Sequence, residues 1–468
     1  MGALMIQGVS SGVGKSLITT AIARAFHRRG IDSAPFKAQN ISNNARVVEG
    51  GEIGAAQYMQ ALAAGVEPDV RMNPVLIKPE SGGRSEVVVL GKRDAEVSRL
   101  PWHLRSDRTW TEIERAMIEL AAEHDVLLIE GAGSPAEPNL HDRDVANMRT
   151  AKAAGARVFV VADVERGGAF AHLYGTWLLL DVDERAHVSG FVLNRSHGDP
   201  ALLDPAPAHL EKLTGVPTIG VLPWLDHGLP DEDGAAVPAA SDAPKTVAIV
   251  RYPTASNLDE FKGLQDVARV TWATHPTDVA GADLVVLPGS KDVAADLRWL
   301  AGSGLGDALR QRAAEGRRII GVCGGMQILG ARVEDETAAG PAEDGLGLLP
   351  LETSFAPTKR TERTTTRFEQ LPDPWTALGN RWVAGYQIRR GRTAAVAPVR
   401  AALPDGLGYV EGPVLGIYLH GLFENPETLS AVLGAVPPRS LDRCFDELAD
   451  ALEAHIDVAA LVKAAVES

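Results

Sequence analysis

Short apolar runs alternate with helical patterns along the first half of the chain. The run ALMIQG (3–8) predicts a strand, and SLITTAIARAFHRRG (16–30) predicts an amphipathic helix that ends at a glycine. Further strands are predicted for DVLLIE (125–130), RVFVVAD (157–163) and VSGFVLN (188–194). Because these runs are continuously apolar, they favour a parallel sheet covered on both faces. The strand–helix alternation therefore predicts a doubly wound α/β domain.

This pattern breaks at LPDEDGAAVPAASDAPK (229–245), which is rich in Pro, Ala, Asp and Gly and predicts a domain boundary. A second alternating series follows, with the runs TVAIVR, DLVVLPGS and RRIIGVCGGMQILG. We therefore expect two α/β domains, at residues 1–235 and 245–468. The tail at 441–465 predicts an amphipathic helix or a helix pair, and we expect it to pack on the second domain.

Length and composition agree with a two-domain globular protein. The chain has 468 residues, and single cores stop growing at roughly 250–300 residues. The formal net charge of -15 argues against a nucleic-acid partner, which would favour a basic face. We expect no membrane partner and a cytoplasmic location, because no apolar run is long enough to span a bilayer and only two cysteines occur. The sequence leaves a homo-oligomer open.

The strand at 3–8 runs into the loop GVSSGVGKS (8–16). A Gly-rich turn between a strand and a helix presents backbone N–H groups and the positive end of the helix dipole to phosphates. We expect Lys15 to reach the outer phosphates of ATP and Ser16 to ligate Mg²⁺. The usual spacing places glycine at position 9, which is Val9 here, so the loop has one extra residue. The predicted ATP-binding residues are Gly8, Ser11, Gly12, Gly14, Lys15 and Ser16.

Two other strand ends carry candidate groups for the same site. Glu130 ends a predicted strand and precedes Gly-Ala-Gly, where a carboxylate can hold Mg²⁺ or its water. Arg166 follows another strand end, in VADVERGG. Contact with phosphate or a substrate carboxylate and a structural ion pair both stay open for Arg166.

The second domain carries a candidate nucleophile, Cys323, in the strand–turn–helix pattern IIGVCGGMQILG. Glycines permit a strained turn that exposes the thiol, and the following helix N-terminus stabilises a thiolate. His420, in GIYLHGLFEN, is the candidate base. Backbone N–H groups of Gly324 and Gly289 are the candidate oxyanion donors. Cys–His pairs of this kind attack the side-chain amide of glutamine and release ammonia.

The two sites together predict one reaction. A carboxylate does not react usefully with ammonia, because its oxygen is a poor leaving group. Phosphorylation by ATP gives an acyl phosphate, which ammonia can attack. The residue chemistry therefore predicts a glutamine-dependent amidoligase.

The sequence resembles the cobyric acid synthases of adenosylcobalamin biosynthesis over nearly its whole length. The stretches PFKAQN and MNPVLIKP separate this family from CTP synthase and cobyrinic acid a,c-diamide synthase. The other matching stretches are MIQGVSSGVGKS, GGEIGAAQYMQALAAGVEPDVR, EGAGSPAEPNLHDRDVANMRTA, ADVERGGAFAHLYGT, LPGSKD, GVCGGMQILG and YLHGLFEN.

This resemblance implies a dethiobiotin-synthetase-like N-terminal domain and a class I glutamine amidotransferase-like C-terminal domain. It implies amidation of the b, d, e and g carboxylates of adenosylcobyrinic acid a,c-diamide, with ATP, Mg²⁺ and L-glutamine. It makes Lys37 a candidate catalytic contact to phosphate or acyl phosphate, since its cationic head can neutralise charge in phosphoryl transfer. It also makes Gln39, Asn40 and Asn44 candidates for the substrate side.

The chain departs from the family pattern at several places. Class I glutaminases commonly place Glu two residues after the His, where this chain has Leu422, so a Cys–His dyad is expected and Glu424 is not assigned. The stretches GYQIRRG (385–391) and NRSHGD (194–199) replace GYEIHMG and NKFRGD. A related amidoligase stays open as an alternative. A P-loop switch is disfavoured by the intact GVCGG and YLHG stretches, and by Ser10 where partitioning ATPases have a second lysine.

Overall fold

A computed structural model describes residues 2–80, 83–230, 243–334 and 342–466. The first domain contains strands β1 to β12. They are β1 (Gly2–Gly8), β2 (Ser33–Phe36), β3 (Gln39–Ile41), β4 (Ala45–Val48), β5 (Gly51–Gly54), β6 (Val75–Pro79), β7 (Ser85–Val89), β8 (Lys92–Arg93), β9 (Val126–Glu130), β10 (Arg157–Asp163), β11 (Val188–Ser196) and β12 (Thr218–Pro223).

Helices of the first domain cover both faces of its main sheet. They are α1 (Lys15–Arg28), α2 (Ala55–Ala64), α3 (Ala95–Arg99), α4 (Trp102–Glu123), α5 (Met148–Ala154), α6 (Ala169–Leu179), α7 (Val182–Arg185) and α8 (Ala206–Thr214). The main sheet has the order β12-β11-β10-β1-β9-β2, and all its pairs are parallel. The predicted doubly wound α/β architecture is confirmed, and β1 lies between β10 and β9 as the apolar run at 3–8 requires.

The second domain is also α/β. Its strands are β13 (Thr246–Val250), β14 (Ala255–Ser256), β15 (Arg269–Ala273), β16 (Leu284–Leu287), β17 (Gly289–Ser290), β18 (Ile319–Val322), β19 (Arg332–Glu334), β20 (Glu343–Asp344), β21 (Leu351–Arg367), β22 (Trp382–Ala395), β23 (Arg400–Leu403), β24 (Gly408–Glu411) and β25 (Val414–Ile417). Its helices are α9 (Lys262–Val267), α10 (Pro276–Ala280), α11 (Val293–Ser303), α12 (Leu305–Ala314), α13 (Gly324–Leu329) and α14 (Pro426–Leu433).

The main sheet of the second domain has the order β15-β13-β16-β18-β25-β24-β23. Its pairs are parallel from β15 to β25 and antiparallel beyond. The long antiparallel hairpin of β21 and β22 reaches the first domain beside β4. Short 3-10 helices lie at Val70–Met72, His141–Arg143, Pro200–Leu203, Leu258–Phe261, Thr376–Leu378 and Leu422–Glu424.

The C-terminal tail forms α15 (Leu441–Glu453) and α16 (Val458–Val466). It packs on the first domain, so the expectation that it packs on the second domain is wrong. The apolar stripe of α15, including Phe445 and Leu448, shares a buried cluster with α1. Arg24 of α1 also pairs with Asp446 at 2.8 Å. Apolar and charged groups both match α1, which periodicity within the tail could not reveal.

The predicted boundary at 229–245 lies mostly outside the described residues, because residues 231–242 are not among them. Placing the two domains at 1–235 and 245–468 therefore stays a proposal for the chain between them. None of the helices in the described ranges is long and apolar enough to cross a membrane.

Candidate active sites

The P-loop connects β1 to α1 and bends through two glycines with left-handed backbone, Gly12 at φ 74° and Gly14 at φ 98°. A Cβ atom at position 14 would lie 2.2 Å from Nδ2 of Asn194. That Asn194 amide donates to the Val13 carbonyl at 2.8 Å and fixes the loop against the end of β11. Only glycine fits this approach, which leaves the start of α1 open to a phosphate.

The predicted phosphate-binding side chains lie at the rim and the base of this loop. The ammonium of Lys15 donates to the carbonyls of Ser10 at 3.0 Å and Gly133 at 3.2 Å. Ser11 is exposed, and its carbonyl accepts a hydrogen bond from the Ser10 hydroxyl. Gly8 is buried where β1 ends. The loop therefore has its cation near the backbone groups that would surround a phosphate chain.

Glu130 is the centre of this site. Its carboxylate is fully buried at the end of β9 and accepts hydrogen bonds from Ser16 Oγ at 3.0 Å and Lys37 Nζ at 2.7 Å. Hydroxyl and carboxylate oxygens are the donors that Mg²⁺ takes in phosphate sites, so the pair of Ser16 and Glu130 fits that ion. The structure thus brings together three groups that lie far apart in the sequence.

Two further Glu130 partners were not predicted. Gln60 donates to Oε2 at 2.5 Å and Gln57 at 3.4 Å, and both lie on α2. Their spacing of three residues places them on one helix face. That spacing was visible in the sequence, but glutamines on a helix are usually solvated, so nothing there pointed to a buried carboxylate.

The predicted substrate residues divide between two places. Asn40 lies near the Glu130 cluster, because its amide donates to Gln57 Oε1 at 3.3 Å. Gln39 is half-buried at the start of β3. Asn44 lies at the contact between the domains, where its Oδ1 accepts the Leu258 backbone N–H at 3.0 Å.

Arg166 lies at the mouth of the P-loop. Its side chain is 68% exposed, and its Nε is 3.5 Å from a carboxylate oxygen of Asp163. A Cβ atom on Gly12 would lie 3.8 Å from Arg166 Nη2. Arg195 binds the same Asp163 oxygen at 2.8 Å. An exposed guanidinium held this weakly beside the loop is able to turn toward an anion.

Cys323 lies between β18 and α13 with φ 52° and ψ -106°, a strained conformation for a residue with a side chain. The helix that follows starts very close to the end of β16, because a Cβ atom on Gly325 would lie 2.0 Å from the Leu287 carbonyl oxygen. The Cys323 N–H donates to the Ile417 carbonyl at 2.7 Å, and the thiol lies 3.8 Å from the Ile388 carbonyl. This is the geometry of a nucleophile elbow.

His420 follows β25, the strand next to β18 that leads into Cys323, so the adjacent strands bring the two residues together. Its Nδ1 lies 2.7 Å from Oε1 of Glu260, and the Gly421 N–H donates to the other oxygen at 2.7 Å. Burial would lower the pKa of His420, but the negative charges of Glu260 and Cys323 outweigh burial and raise it to about 10. The arrangement favours the protonated imidazolium form of His420.

Glu260 is a site residue that was not predicted from the sequence. The expected dyad has a third group, supplied by the 3-10 helix Leu258–Phe261 rather than by the segment after the histidine. Leu422, at the usual glutamate position, is fully buried in the apolar core. The run SNLDEF offers only two adjacent acids in a loop, and no signal in the sequence connects either acid to His420.

The two candidate oxyanion glycines lie beside the same residues. A Cβ atom on Gly289 would lie 3.1 Å from His420 Cε1 and 2.8 Å from Ser256 Oγ. A Cβ atom on Gly324 would lie 2.4 Å from the Ser290 backbone nitrogen. Gly289 thus permits a close approach to the His420 ring, and Gly324, next to Cys323, permits a close approach to the backbone that follows Gly289.

Comparison with known proteins finds two family models that match the chain. Residues 4–230 match the model of the CobQ/CobB/MinD/ParA nucleotide binding domain. Residues 246–428 match the model of the CobB/CobQ-like glutamine amidotransferase domain.

Relatives that match nearly the full length of the chain are cobyric acid synthases. The chain is 49% identical over 470 residues to a cobyric acid synthase of Variovorax paradoxus (strain S110), with 98% of each chain covered. It is 51% identical over 481 residues to the cobyric acid synthase of Paracidovorax citrulli (strain AAC00-1), covering 97% of each. It is 50% identical to that of Acidovorax sp. (strain JS42), covering 98% of this chain and 97% of the relative. With a P-loop site, a Cys–His–Glu site and these relatives, the chain belongs to the cobyric acid synthase family.

Proposed function

We propose that this protein amidates the b, d, e and g carboxylates of adenosylcobyrinic acid a,c-diamide, with ATP and L-glutamine as co-substrates. The observation that carries the proposal is the pairing of two sites in one chain. A buried Glu130 gathers Ser16 and Lys37 beside a P-loop, and a buried Glu260 orients His420 beside Cys323. The first site suits phosphoryl transfer and the second suits release of ammonia from glutamine.

The glutaminase half-reaction follows from the second site. The Cys323 thiolate attacks the carbonyl carbon of the glutamine side-chain amide. The resulting oxyanion accepts hydrogen bonds from the backbone N–H groups of Gly289 and Gly324. His420 gives its proton to the leaving ammonia, which leaves a thioester on Cys323. His420 then takes a proton from water as the water attacks the thioester, and glutamate departs. Glu260 holds the imidazole in the required orientation throughout.

The ligase half-reaction follows from the first site. The backbone of the P-loop holds the triphosphate, and Lys15 and Lys37 offset its negative charge. Ser16 and Glu130 would hold Mg²⁺, which when bound neutralises the phosphate oxygens. A substrate carboxylate oxygen attacks the γ-phosphorus, ADP leaves and an acyl phosphate forms. Ammonia then attacks the acyl carbon, and inorganic phosphate leaves as the amide forms.

Substrate contacts are proposed for the polar residues around this site. Asn40 bonds Gln57 of the Glu130 cluster and Gln39 is its neighbour on β3, while Arg166 at the loop mouth suits a phosphate or a substrate carboxylate. Asn44 has its side-chain oxygen engaged across the domain contact, so we propose a positioning role for it. The proposed location is the cytoplasm, where the two unpaired cysteines would stay reduced.

The test is mass spectrometry of adenosylcobyrinic acid a,c-diamide after incubation with the protein, Mg-ATP and glutamine labelled with ¹⁵N at the amide. The proposal predicts four successive replacements of carboxylate oxygen by labelled nitrogen, with one ADP formed for each. A matched incubation with cobyrinic acid, which also carries free a and c carboxylates, tests selectivity. Glutamine hydrolysis and ATP binding without any labelled corrinoid would contradict the proposed substrate and keep only the amidoligase chemistry.

A further inference from the structure

The glutaminase site contains a cation that comes from the other domain. Arg46 lies on β4, in the β4–β5 hairpin of the first domain, and only 2% of its surface is exposed. Its guanidinium crosses the domain boundary and makes two sets of contacts beside the His420–Glu260 pair. We call them the first face, with Asp259 and Glu424, and the second face, with Tyr386.

On the first face, Arg46 contacts the residue next to Glu260. Its Nη2 lies 2.5 Å from Oδ2 of Asp259, which is itself buried. The same nitrogen lies 2.5 Å from Oε1 of Glu424, four residues after His420. Burial would lower the pKa of Arg46, but the charges of Asp259 and Glu424 raise it well above its ordinary value. The cation therefore holds together the two segments that carry Glu260 and His420.

On the second face, Arg46 contacts the aromatic ring that packs on the imidazole. Its Nη1 hydrogen-bonds the Tyr386 hydroxyl, and the guanidinium carbon lies 5.1 Å from the Tyr386 ring centre. The Tyr386 ring stacks on His420 with centroids 5.3 Å apart and planes 16° apart. The backbones of Tyr386 and His420 also exchange hydrogen bonds at 3.1 and 2.9 Å. Moving Arg46 would release one wall of the histidine.

The two residues directly before Arg46 bind the same glutaminase segment. The Ala45 carbonyl accepts the Asn257 side-chain amide at 2.8 Å, and the Asn44 carboxamide accepts the Leu258 N–H at 3.0 Å. Three successive residues of the first domain therefore hold residues 257–259, directly before Glu260. Hydrogen bonds and an ion pair therefore fix the position of residues 257–259.

We propose that Arg46 is a positioning residue for glutamine hydrolysis, supplied by the ATP-binding domain to align Glu260 and His420 of the glutaminase domain. The proposal rests on the proposed glutaminase chemistry. It deepens that chemistry by making ammonia release depend on the docked state of the two domains. A glutaminase domain without its partner would keep Cys323 and His420 but lose the cation that holds their supporting groups.

The test compares Arg46→Met and Arg46→Lys in the full-length protein. Glutamate release is measured from glutamine, and amidation is measured separately with ammonium chloride as the nitrogen source. For Arg46→Met we expect kcat for glutamine hydrolysis to fall at least about tenfold, with KM for glutamine within about threefold, because the residue acts on the catalytic groups and not on the substrate. Ammonia-supported amidation is expected to stay within about twofold. Arg46→Lys, which keeps the charge, should restore part of kcat.

The matched control is Arg363→Met. Arg363 also spans the domains, but its guanidinium bonds the Val47 carbonyl at 3.0 Å and Glu67 at 2.9 Å. It should leave glutamine hydrolysis within about twofold. Tyr386→Phe, which keeps the ring stacked on His420 but loses the hydroxyl that Arg46 contacts, provides a second variant should Arg46→Met fold poorly; it should lower kcat in the same direction.

Three results would overturn the proposal. The first is unchanged glutamine hydrolysis in Arg46→Met. The second is an equal loss of glutamine-supported and ammonia-supported amidation, which indicates a general structural role. The third is the same loss of kcat in Arg363→Met. Glutamate release needs no corrinoid, so the glutamine-hydrolysis measurements with Arg46→Met, Arg46→Lys and Arg363→Met still test the proposal if the proposed substrate is wrong.

Discussion

Glu260 holds the imidazole of His420 at 2.7 Å, although 160 residues separate them in the chain. The carboxylate uses its second oxygen to accept the Gly421 N–H, so both oxygens are committed to the segment that carries the histidine. This buried pair gives the proposed glutaminase site its third member, and the charge of Glu260 raises the pKa of His420.

Replacing Glu260 tests that role through pH. The folded-state pKa of His420 is about 10, above its ordinary value of 6.5. The stability that the His420–Glu260 ion pair contributes to the folded state is therefore fully present below pH 6.5 and is lost as the pH rises through about 10. Glu260→Gln removes the charge that raises this pKa. We expect kcat for glutamine hydrolysis to fall roughly 10²–10⁴-fold and its alkaline limb to move to lower pH. Glutamate release against pH measures both.

The control for this variant is Glu343→Gln, in which the lost carboxylate pairs with the exposed Arg298 of the same domain. It should leave the pH profile unchanged. An unmoved alkaline limb in Glu260→Gln would show that another group sets the protonation of His420.

Cys323→Ala separates the two halves of the reaction. Without the thiol no thioester can form, so glutamine-supported amidation should fall to background while ammonia-supported amidation stays within about threefold. Cys444→Ala is the matched control, since Cys444 is the other buried cysteine and lies on the buried face of α15. Labelled glutamine and labelled ammonium chloride, compared by mass spectrometry, measure the two activities. Normal glutamine use by Cys323→Ala would exclude Cys323 as the nucleophile.

Lys37→Met tests the Glu130 cluster. The substitution keeps a long apolar stem but removes the ammonium that lies 2.7 Å from Glu130. Amidation from either nitrogen source should fall at least about 10²-fold, because a positive charge close to the transferred phosphoryl group is lost. Glutamine hydrolysis should stay within about threefold. ADP formation in the presence of corrinoid measures the first effect, and Lys152→Met, an exposed lysine on α5, is the control.

Leu448→Ala tests the placement of the tail. Leu448 is 2% exposed and lies in the cluster shared with α1, so the substitution should cost about 2–5 kcal/mol of unfolding free energy. Hydrogen exchange followed by mass spectrometry should show faster exchange in α1 and unchanged exchange in β18 and α13. Leu441→Ala, at a residue 37% exposed, should change neither region. Faster exchange confined to the second domain would contradict the packing described above.

The sequence was sufficient to predict the architecture, the P-loop of the first site and the cysteine turn of the second site. Continuous apolar runs specify parallel strands because both faces of the sheet are covered, and the glycines around Lys15 and Cys323 specify turns that few other residues can make. The family resemblance then added Lys37. All of these signals are local, since each is contained in a stretch of a few residues.

Only the tertiary structure decided which distant groups meet. Glu260, Gln57, Gln60 and Arg46 are polar residues in segments where a polar residue is ordinarily solvated, and nothing near them in the chain marks them as buried. Gln57 and Gln60 are buried where α2 meets Glu130 at the end of β9, Glu260 is buried against His420, and Arg46 is buried at the contact between the domains. The tail shows the same limit, because the apolar stripe of α15 predicts a helix that needs a partner, while the choice of α1 depends on complementary charges and apolar contacts more than 400 residues away.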